Sequence, residues 1–147
     1  MISRTETALL ALRVFLGVAF VVHGYPKILH PGTWAAHVWP VAPPALAALG
    51  AFVEFGGGIA LIVGFFTSVF AFAIACEMVV AIFFVLVPHG AAFVNDAPGA
   101  TSFEKPVAYL TIALALVLAG PGAYALDGRD AGATRAGRSS RRRPTKH

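Results

Sequence analysis

The sequence has few charged residues and a single cysteine. Asp, Glu, Lys and Arg make up 12% of the 147 residues, whereas hydrophobic residues make up 58%. Soluble domains typically carry about twice that share of charge, so the composition excludes an ordinary soluble domain. The lone Cys76 excludes an internal disulfide and a CxxC redox pair. A redox role would therefore require a bound cofactor or a partner protein.

The sequence contains long apolar runs, and its mean hydropathy is +0.77. Four runs are each close to the roughly 20 residues that a helix needs to cross a bilayer. They cover residues 8–29, 45–66, 69–87 and 103–119. We therefore predict an all-α fold, a membrane-embedded four-helix bundle in contact with the lipid bilayer.

Positive charge is concentrated at the C-terminal end, where seven of the eleven Lys and Arg residues follow residue 127. The chain is accordingly divided into a transmembrane domain, residues 1–126, and a basic tail, residues 127–147, which we expect to be disordered. Because Lys and Arg favour the cytoplasmic side, both termini are predicted to be cytoplasmic. We expect Arg141, Arg142 and Arg143 to contact anionic lipid headgroups or a soluble acidic partner rather than nucleic acid.

The first apolar run, "RVFLGVAFVVHGYPK", carries ionisable residues on one helical face. Arg13, Gly17, Phe20, Gly24 and Lys27 follow one another at steps of three or four residues. Such a face points into a bundle, and its two glycines allow a second helix to come close.

Two carboxyl groups are expected near the middle of the membrane. Glu54 lies in "AFVEFGGGIALIVG" and Glu77 in "AIACEMVVAIFF", at similar depth in the second and third runs. His23 lies within about two helical turns of that depth. Buried carboxyls hold a proton unless a cation compensates their charge, so we predict a His23–Glu54–Glu77 cluster that exchanges protons. Interhelical hydrogen bonding alone is the alternative for His23 and Glu77.

The two cations of the first run have structural interpretations as well. We expect Arg13 to form an ion pair with Asp127 at the cytoplasmic end of the last span. Lys27 is expected to reach the headgroups on the far side or to meet Glu104. Binding of a substrate is the alternative for Lys27.

Two further features concern ligands. Gly24 and Gly57 lie beside the predicted cluster, where we expect them either to allow close helix packing or to contact a substrate. The histidines show no spacing typical of metal ligands, so we predict no metal site.

In order and spacing, "RVFLGVAFVVHGYPK", "FVEFGGGIALIVGFFT" and "GPGAYALD" resemble the DoxX family of small bacterial four-helix membrane proteins. The resemblance covers nearly the whole chain before the tail. It implies a multi-pass protein of the bacterial inner membrane. It also implies a link to redox chemistry, because DoxD-type relatives are subunits of thiosulfate:quinone oxidoreductases.

Three classes of function follow from these features. The first is a redox-linked subunit that holds a quinone between its helices, with His23 and Glu54 exchanging protons with the ring. The second is a membrane anchor or assembly factor that recruits a soluble partner through the tail. The third is a proton-coupled transporter of small solutes. We favour the first, but the sequence leaves open whether the protein is an enzyme.

Overall fold

Four α-helices form the protein in the computed structural model, which describes residues 3–37, 39–97 and 99–127. A π-helical stretch, Ala81–Leu86, continues the third helix, and a short 3-10 helix, Trp34–His37, lies between the first two. The described residues contain no β-strand. The four α-helices are α1 (Arg4–Ile28), α2 (Pro44–Val63), α3 (Thr67–Val80) and α4 (Glu104–Ala119).

Three of the helices have the length and composition of membrane spans. These are α1, α2 and α3 together with its π-helical continuation. Helix α4 has 16 residues and a length of about 24 Å, somewhat less than the roughly 30 Å of a hydrocarbon core. Large apolar side chains such as Val22, Phe72 and Leu118 are exposed on the outer surface, which suits contact with lipid. The predicted all-α membrane bundle is confirmed.

Each helix contributes a fully buried side chain to one core. Helix α1 packs mainly against α2, and α3 mainly against α4, whereas the contact between α2 and α3 is less extensive. The bundle therefore consists of two close helix pairs, with space between α2 and α3. These apolar side chains, one from each helix in order, are Leu16, Leu61, Ile74 and Leu116.

Glycines bring α1 and α2 into backbone contact. A Cβ atom on Gly17 would lie 2.7 Å from the carbonyl oxygen of Gly58, and one on Gly24 would lie 2.5 Å from the amide nitrogen of Phe55. No side chain fits at these distances, so only glycine permits this approach. The glycine face of α1 points into the bundle, as its spacing predicts.

A three-residue turn sets the relative height of α2 and α3. Gly64 ends α2 in the left-handed region with a φ of 75°, and its N–H donates to the carbonyl of Ala60. Helix α3 begins at Thr67, so α2 and α3 are antiparallel neighbours. Glu54 and Glu77 each lie near the middle of their helical segment and consequently at similar heights in the bundle.

Candidate functional site

Lys27, Glu54 and Glu77 meet between α1, α2 and α3. Lys27 is in the last turn of α1, and its Nζ donates a hydrogen bond to Oε1 of Glu54. The carboxyl group of Glu77 lies within hydrogen-bonding reach of that of Glu54. The Glu54 side chain is 4% exposed and the Lys27 side chain 25%. In the described part of the chain this is the one ion pair, and it lies inside the bundle.

Each of the two carboxyl groups keeps one oxygen free. Among the described residues, no donor reaches Oε2 of Glu54 or Oε2 of Glu77, although both atoms are buried. Leaving a buried polar atom without a hydrogen bond costs about 1–3 kcal/mol. Such a cost is offset when the oxygen carries a proton or contacts a ligand.

The indole of Trp34 covers Lys27. The Nζ atom of Lys27 lies 4.2 Å from the centroid of the Trp34 ring, a distance at which a cation is attracted to an aromatic face. The indole is itself fixed, because its Nε1 donates to the carbonyl of Ala47 at 2.7 Å. The Lys27 ammonium is therefore held between an aromatic ring and a carboxylate.

The cluster forms part of the wall of a cavity of about 540 Å³ between α2, α3 and the connection that follows α1. This volume is typical of sites for small organic ligands. Most of the wall is apolar, and the charged groups in it are Lys27, Glu54 and Glu77. Both tryptophans of the chain, Trp34 and Trp39, also line the cavity. Such a cavity suits a mostly apolar molecule with a few polar atoms.

His23 does not join the cluster, contrary to the arrangement expected from the sequence. Its ring is exposed, its Nδ1 lies 2.8 Å from the carbonyl of Ala19, and it packs edge-on against Tyr109. His23 is displaced by about 100° around α1 from Gly24, which faces α2. Its short side chain does not reach back to Glu54, whereas the longer side chain of Lys27 does.

The glycines expected at the ligand site serve helix packing instead. Gly24 contacts the backbone of Phe55, and a Cβ on Gly57 would lie 2.8 Å from the ring of Phe70. Gly50 is the glycine that lines the cavity, and a Cβ there would lie 3.1 Å from Oε1 of Glu77. Gly50 shares a helical face with Glu54 and Gly57. This spacing is the feature of the sequence from which Gly50 could have been predicted to line the cavity.

Lys27 differs from both of its expected structural roles. It neither extends to the headgroups nor meets Glu104, because Glu54 holds its ammonium group inside the bundle. Trp34, which follows α1, lies against α2 and over Lys27.

The expected ion pair between Arg13 and Asp127 is not present among the described contacts. Arg13 is 1% exposed and donates to the backbone carbonyls of Pro121 at 2.7 Å and Tyr124 at 3.1 Å. Asp127 instead accepts from the amides of Phe66 at 3.0 Å and Thr67 at 2.7 Å, at the start of α3. The first amides of a helix lack intrahelical acceptors, so a carboxylate is stabilised there. Arg13 therefore keeps the structural role expected of it, but it fulfils this role by hydrogen bonds to backbone carbonyls and not by an ion pair.

No group of three His, Cys, Asp or Glu side chains within the described residues is arranged to hold a metal ion. The arrangement of Lys27, Glu54 and Glu77 instead suits proton exchange and hydrogen bonding to an organic ligand.

Apolar helices around a buried charged cluster and a cavity define a helical membrane protein with an internal site. The family model DoxX matches residues 8–87, which contain the whole Lys27–Glu54–Glu77 cluster. A protein of Haemophilus influenzae, described as an uncharacterized protein, is 35% identical over 120 residues, covering 80% of this chain and 87% of that protein. The chain belongs to the DoxX family. No solved structure matches it.

Proposed function

We propose that this protein binds a quinone in its cavity and exchanges protons with it through Glu77, as the membrane subunit of an oxidoreductase complex in the bacterial inner membrane. The observation that carries the proposal is the buried Glu54–Glu77 pair, with an oxygen of each carboxyl that no described donor reaches, in the wall of an apolar cavity. A quinone ring is an apolar body with two polar oxygens, and it matches that wall.

Charge balance assigns the proton within the cluster. Two carboxyl groups share the single ammonium of Lys27. An uncompensated charge is costly in the apolar interior of a membrane protein. Lys27 and Glu54, which are in contact, therefore form the ion pair, and Glu77 carries a proton.

Reduction of the quinone uses this proton. The ring accepts two electrons from a partner electron-transfer protein and two protons, and becomes a quinol. Glu77 supplies the first proton to a ring oxygen, is reprotonated from the aqueous side, and supplies the second. Lys27 donates a hydrogen bond to the reduced oxygen as its negative charge develops. Trp34 and Trp39 supply aromatic faces against which the ring packs.

The basic tail, residues 127–147, is the place we propose for contact with the partner and with anionic lipid. Apart from Asp127, it lies outside the described residues. The proposal rests on its sequence, in which Arg141, Arg142 and Arg143 are consecutive. Truncation after Asp127 should weaken binding to vesicles that contain anionic lipid while leaving quinone binding unchanged.

The two tryptophans report directly on the cavity. We would titrate the purified protein in lipid nanodiscs with a benzoquinone whose ring is fully substituted, so that it has no free position for Cys76 to attack. Quinones quench indole fluorescence on contact, and both indoles line the cavity. The proposal predicts saturable quenching with one quinone per chain.

A pair of glycine variants separates cavity binding from nonspecific quenching. Gly50→Leu fills the cavity beside Glu77 and Trp34, whereas Gly56→Leu, on the same helix, contacts only the ring of Phe52 nearby. Saturable quenching should be lost in the first and kept in the second. Equal quenching in both variants, or none in the unmodified protein, would contradict a quinone site here.

The carboxyl pair also favours a second function, proton-coupled transport of a small solute. Glu54 and Glu77 both line the cavity, and paired carboxyls within a membrane serve proton relays. Solute-dependent proton flux into vesicles that contain the purified protein would support this function. If neither quinone binding nor flux is found, the protein is better explained as a membrane anchor for a partner.

A further inference from the structure

The cavity reaches the outer surface between α2 and α3. Leu46, Leu49 and Cys76 line it, yet Leu46 is 43% exposed, Leu49 is 56% exposed and Cys76 is exposed as well. Side chains that both line a cavity and remain accessible from outside mark the place where it opens. The opening therefore lies between the first half of α2 and the middle of the segment formed by α3 and its π-helical continuation.

The packing of the helices leaves this opening in place. Helices α2 and α3 contact each other less extensively than α1 contacts α2 or α3 contacts α4. The wall of α3 at the opening is made of small side chains, Ala73 and Cys76.

The surroundings of the opening are apolar. Leu49 directly precedes Gly50, where a Cβ would lie 3.1 Å from Oε1 of Glu77, and Cys76 directly precedes Glu77, so the opening reaches the carboxyl cluster. Phe52 and Phe72, on the outer surfaces of the same two helices, are 56% and 59% exposed. At mid-height in a membrane bundle, such a surface faces hydrocarbon chains, and a water-soluble molecule does not approach from that direction.

We infer that the site takes a long-tailed, membrane-dissolved quinone, which enters sideways from the bilayer between α2 and α3 and leaves its isoprenoid tail in the opening beside Cys76. This inference rests on the proposed function and adds the class of substrate and its route. The ring then lies against Glu77 and Lys27, and the tail extends past Leu49 into the lipid.

The chain carries separate natural probes for the ring and the tail. Both tryptophans line the inner cavity, and Cys76, the single cysteine, lies at the opening. In nanodiscs, the rate of Cys76 alkylation by N-ethylmaleimide would be measured with two quinones that share one fully substituted ring. One bears a tail of several isoprene units and the other only a methyl group. Tryptophan quenching establishes the occupancy of the site by each.

The tailed quinone should protect Cys76, and the tailless quinone should not. At about ten times its Kd, a ligand leaves roughly a tenth of the sites free, so protection by the tailed quinone should slow alkylation about tenfold. If both quinones quench tryptophan but protect Cys76 equally or not at all, the sideways route is wrong and the quinone site stands. If neither quenches, the proposed function fails and the inference falls with it.

A pair of tryptophan variants provides a second test that does not use the thiol. Ala73→Trp places a bulky ring in the opening, whereas Leu118→Trp places one on the exposed surface of α4, away from the cavity. Occupancy is followed here by equilibrium binding of radiolabelled quinones, because each variant adds an indole. Ala73→Trp should weaken binding of the tailed quinone relative to the tailless one, and Leu118→Trp should leave this ratio unchanged. An unchanged ratio in Ala73→Trp would overturn the route.

Discussion

Glu54 is the residue at which three helices of the bundle meet through polar groups. It lies on α2, α1 supplies the ammonium of Lys27, and α3 supplies the carboxyl of Glu77. Because Glu54 is almost fully buried, a change in either partner alters the charge inside the bundle. Stability and proton binding are therefore coupled at this residue.

Lys27→Met tests that coupling. Removal of one partner from a buried ion pair costs about 3–5 kcal/mol, because the other charge remains uncompensated. We expect Lys27→Met to lower the melting temperature of the purified protein clearly, and Lys27→Met combined with Glu54→Gln to recover most of the loss. Thermal unfolding in detergent measures both. A double variant no more stable than the single one would show that the pair is not buried as described.

Arg13→Ala tests the structural role assigned to Arg13. The substitution leaves the carbonyls of Pro121 and Tyr124 without their donors, at a cost of about 1–3 kcal/mol for buried groups. The melting temperature should fall, while tryptophan quenching by quinone is unchanged. Arg4→Ala, at an exposed position in the first turn of α1, serves as the control. Equal melting temperatures in the two variants would contradict this role.

The sequence predicted some residues of the site and not their contacts. Glu54 and Glu77 stand out because a carboxyl in an apolar run is rare, and the short turn after α2 places them at similar heights. Whether Lys27 or His23 contacts Glu54 depends on the rotation of α1 about its own axis. The contact between α1 and α2 determines that rotation. A sequence pattern gives the face of a helix only to within about one residue step, or 100°.

At the scale of the helices, the backbone contact of α1 with α2 determines where Lys27 lies. Gly24 touches the backbone at Glu54 and Phe55, and Lys27 follows one turn later. The close approach fixes both the depth and the rotation of α1. The position of the ammonium therefore depends on a glycine that does not line the cavity.

Gly24→Ala tests this dependence. The added methyl group would lie 2.5 Å from the amide nitrogen of Phe55, so the helices must separate, at a cost of about 1–3 kcal/mol. We expect a lower melting temperature and weaker quinone binding together. Gly56→Ala is the matched control, because its Cβ meets only the ring of Phe52 at 3.4 Å. If Gly24→Ala behaves like Gly56→Ala, the helices are not in backbone contact.

Helix positions were predictable from hydropathy, but the connection after α1 was not. The apolar runs at residues 8–29, 45–66, 69–87 and 103–119 overlap the four α-helices. By contrast, hydropathy does not predict that the segment with Trp34 covers the cavity. Its position depends on the hydrogen bond to Ala47 and on Lys27, and neither contact has a local sequence signal.

For the whole molecule, the two ends of the described chain lie at the same end of the bundle. Glu6 accepts a hydrogen bond from the amide of Ala123, and Arg13 contacts the carbonyl of Tyr124. The positive charge that follows residue 127 favours the cytoplasm for that end. A reporter fused at His147 should therefore be cytoplasmic, and one inserted near Asn95 should lie on the opposite side. An exported C-terminal reporter would contradict the predicted orientation.

The proton transfer by Glu77 is tested most directly by time-resolved infrared difference spectroscopy of the protein in quinone-loaded nanodiscs as the quinone is reduced. A carboxylic acid that loses its proton loses its C=O stretching band, and the band returns when the group is reprotonated, so a transient loss is expected. We predict such a change in the unmodified protein and in Glu104→Gln, where an exposed carboxyl is removed. The change should be absent in Glu77→Gln, which keeps the Lys27–Glu54 ion pair. A carboxylic band that persists unchanged on reduction, or a change that survives in Glu77→Gln, would contradict the account.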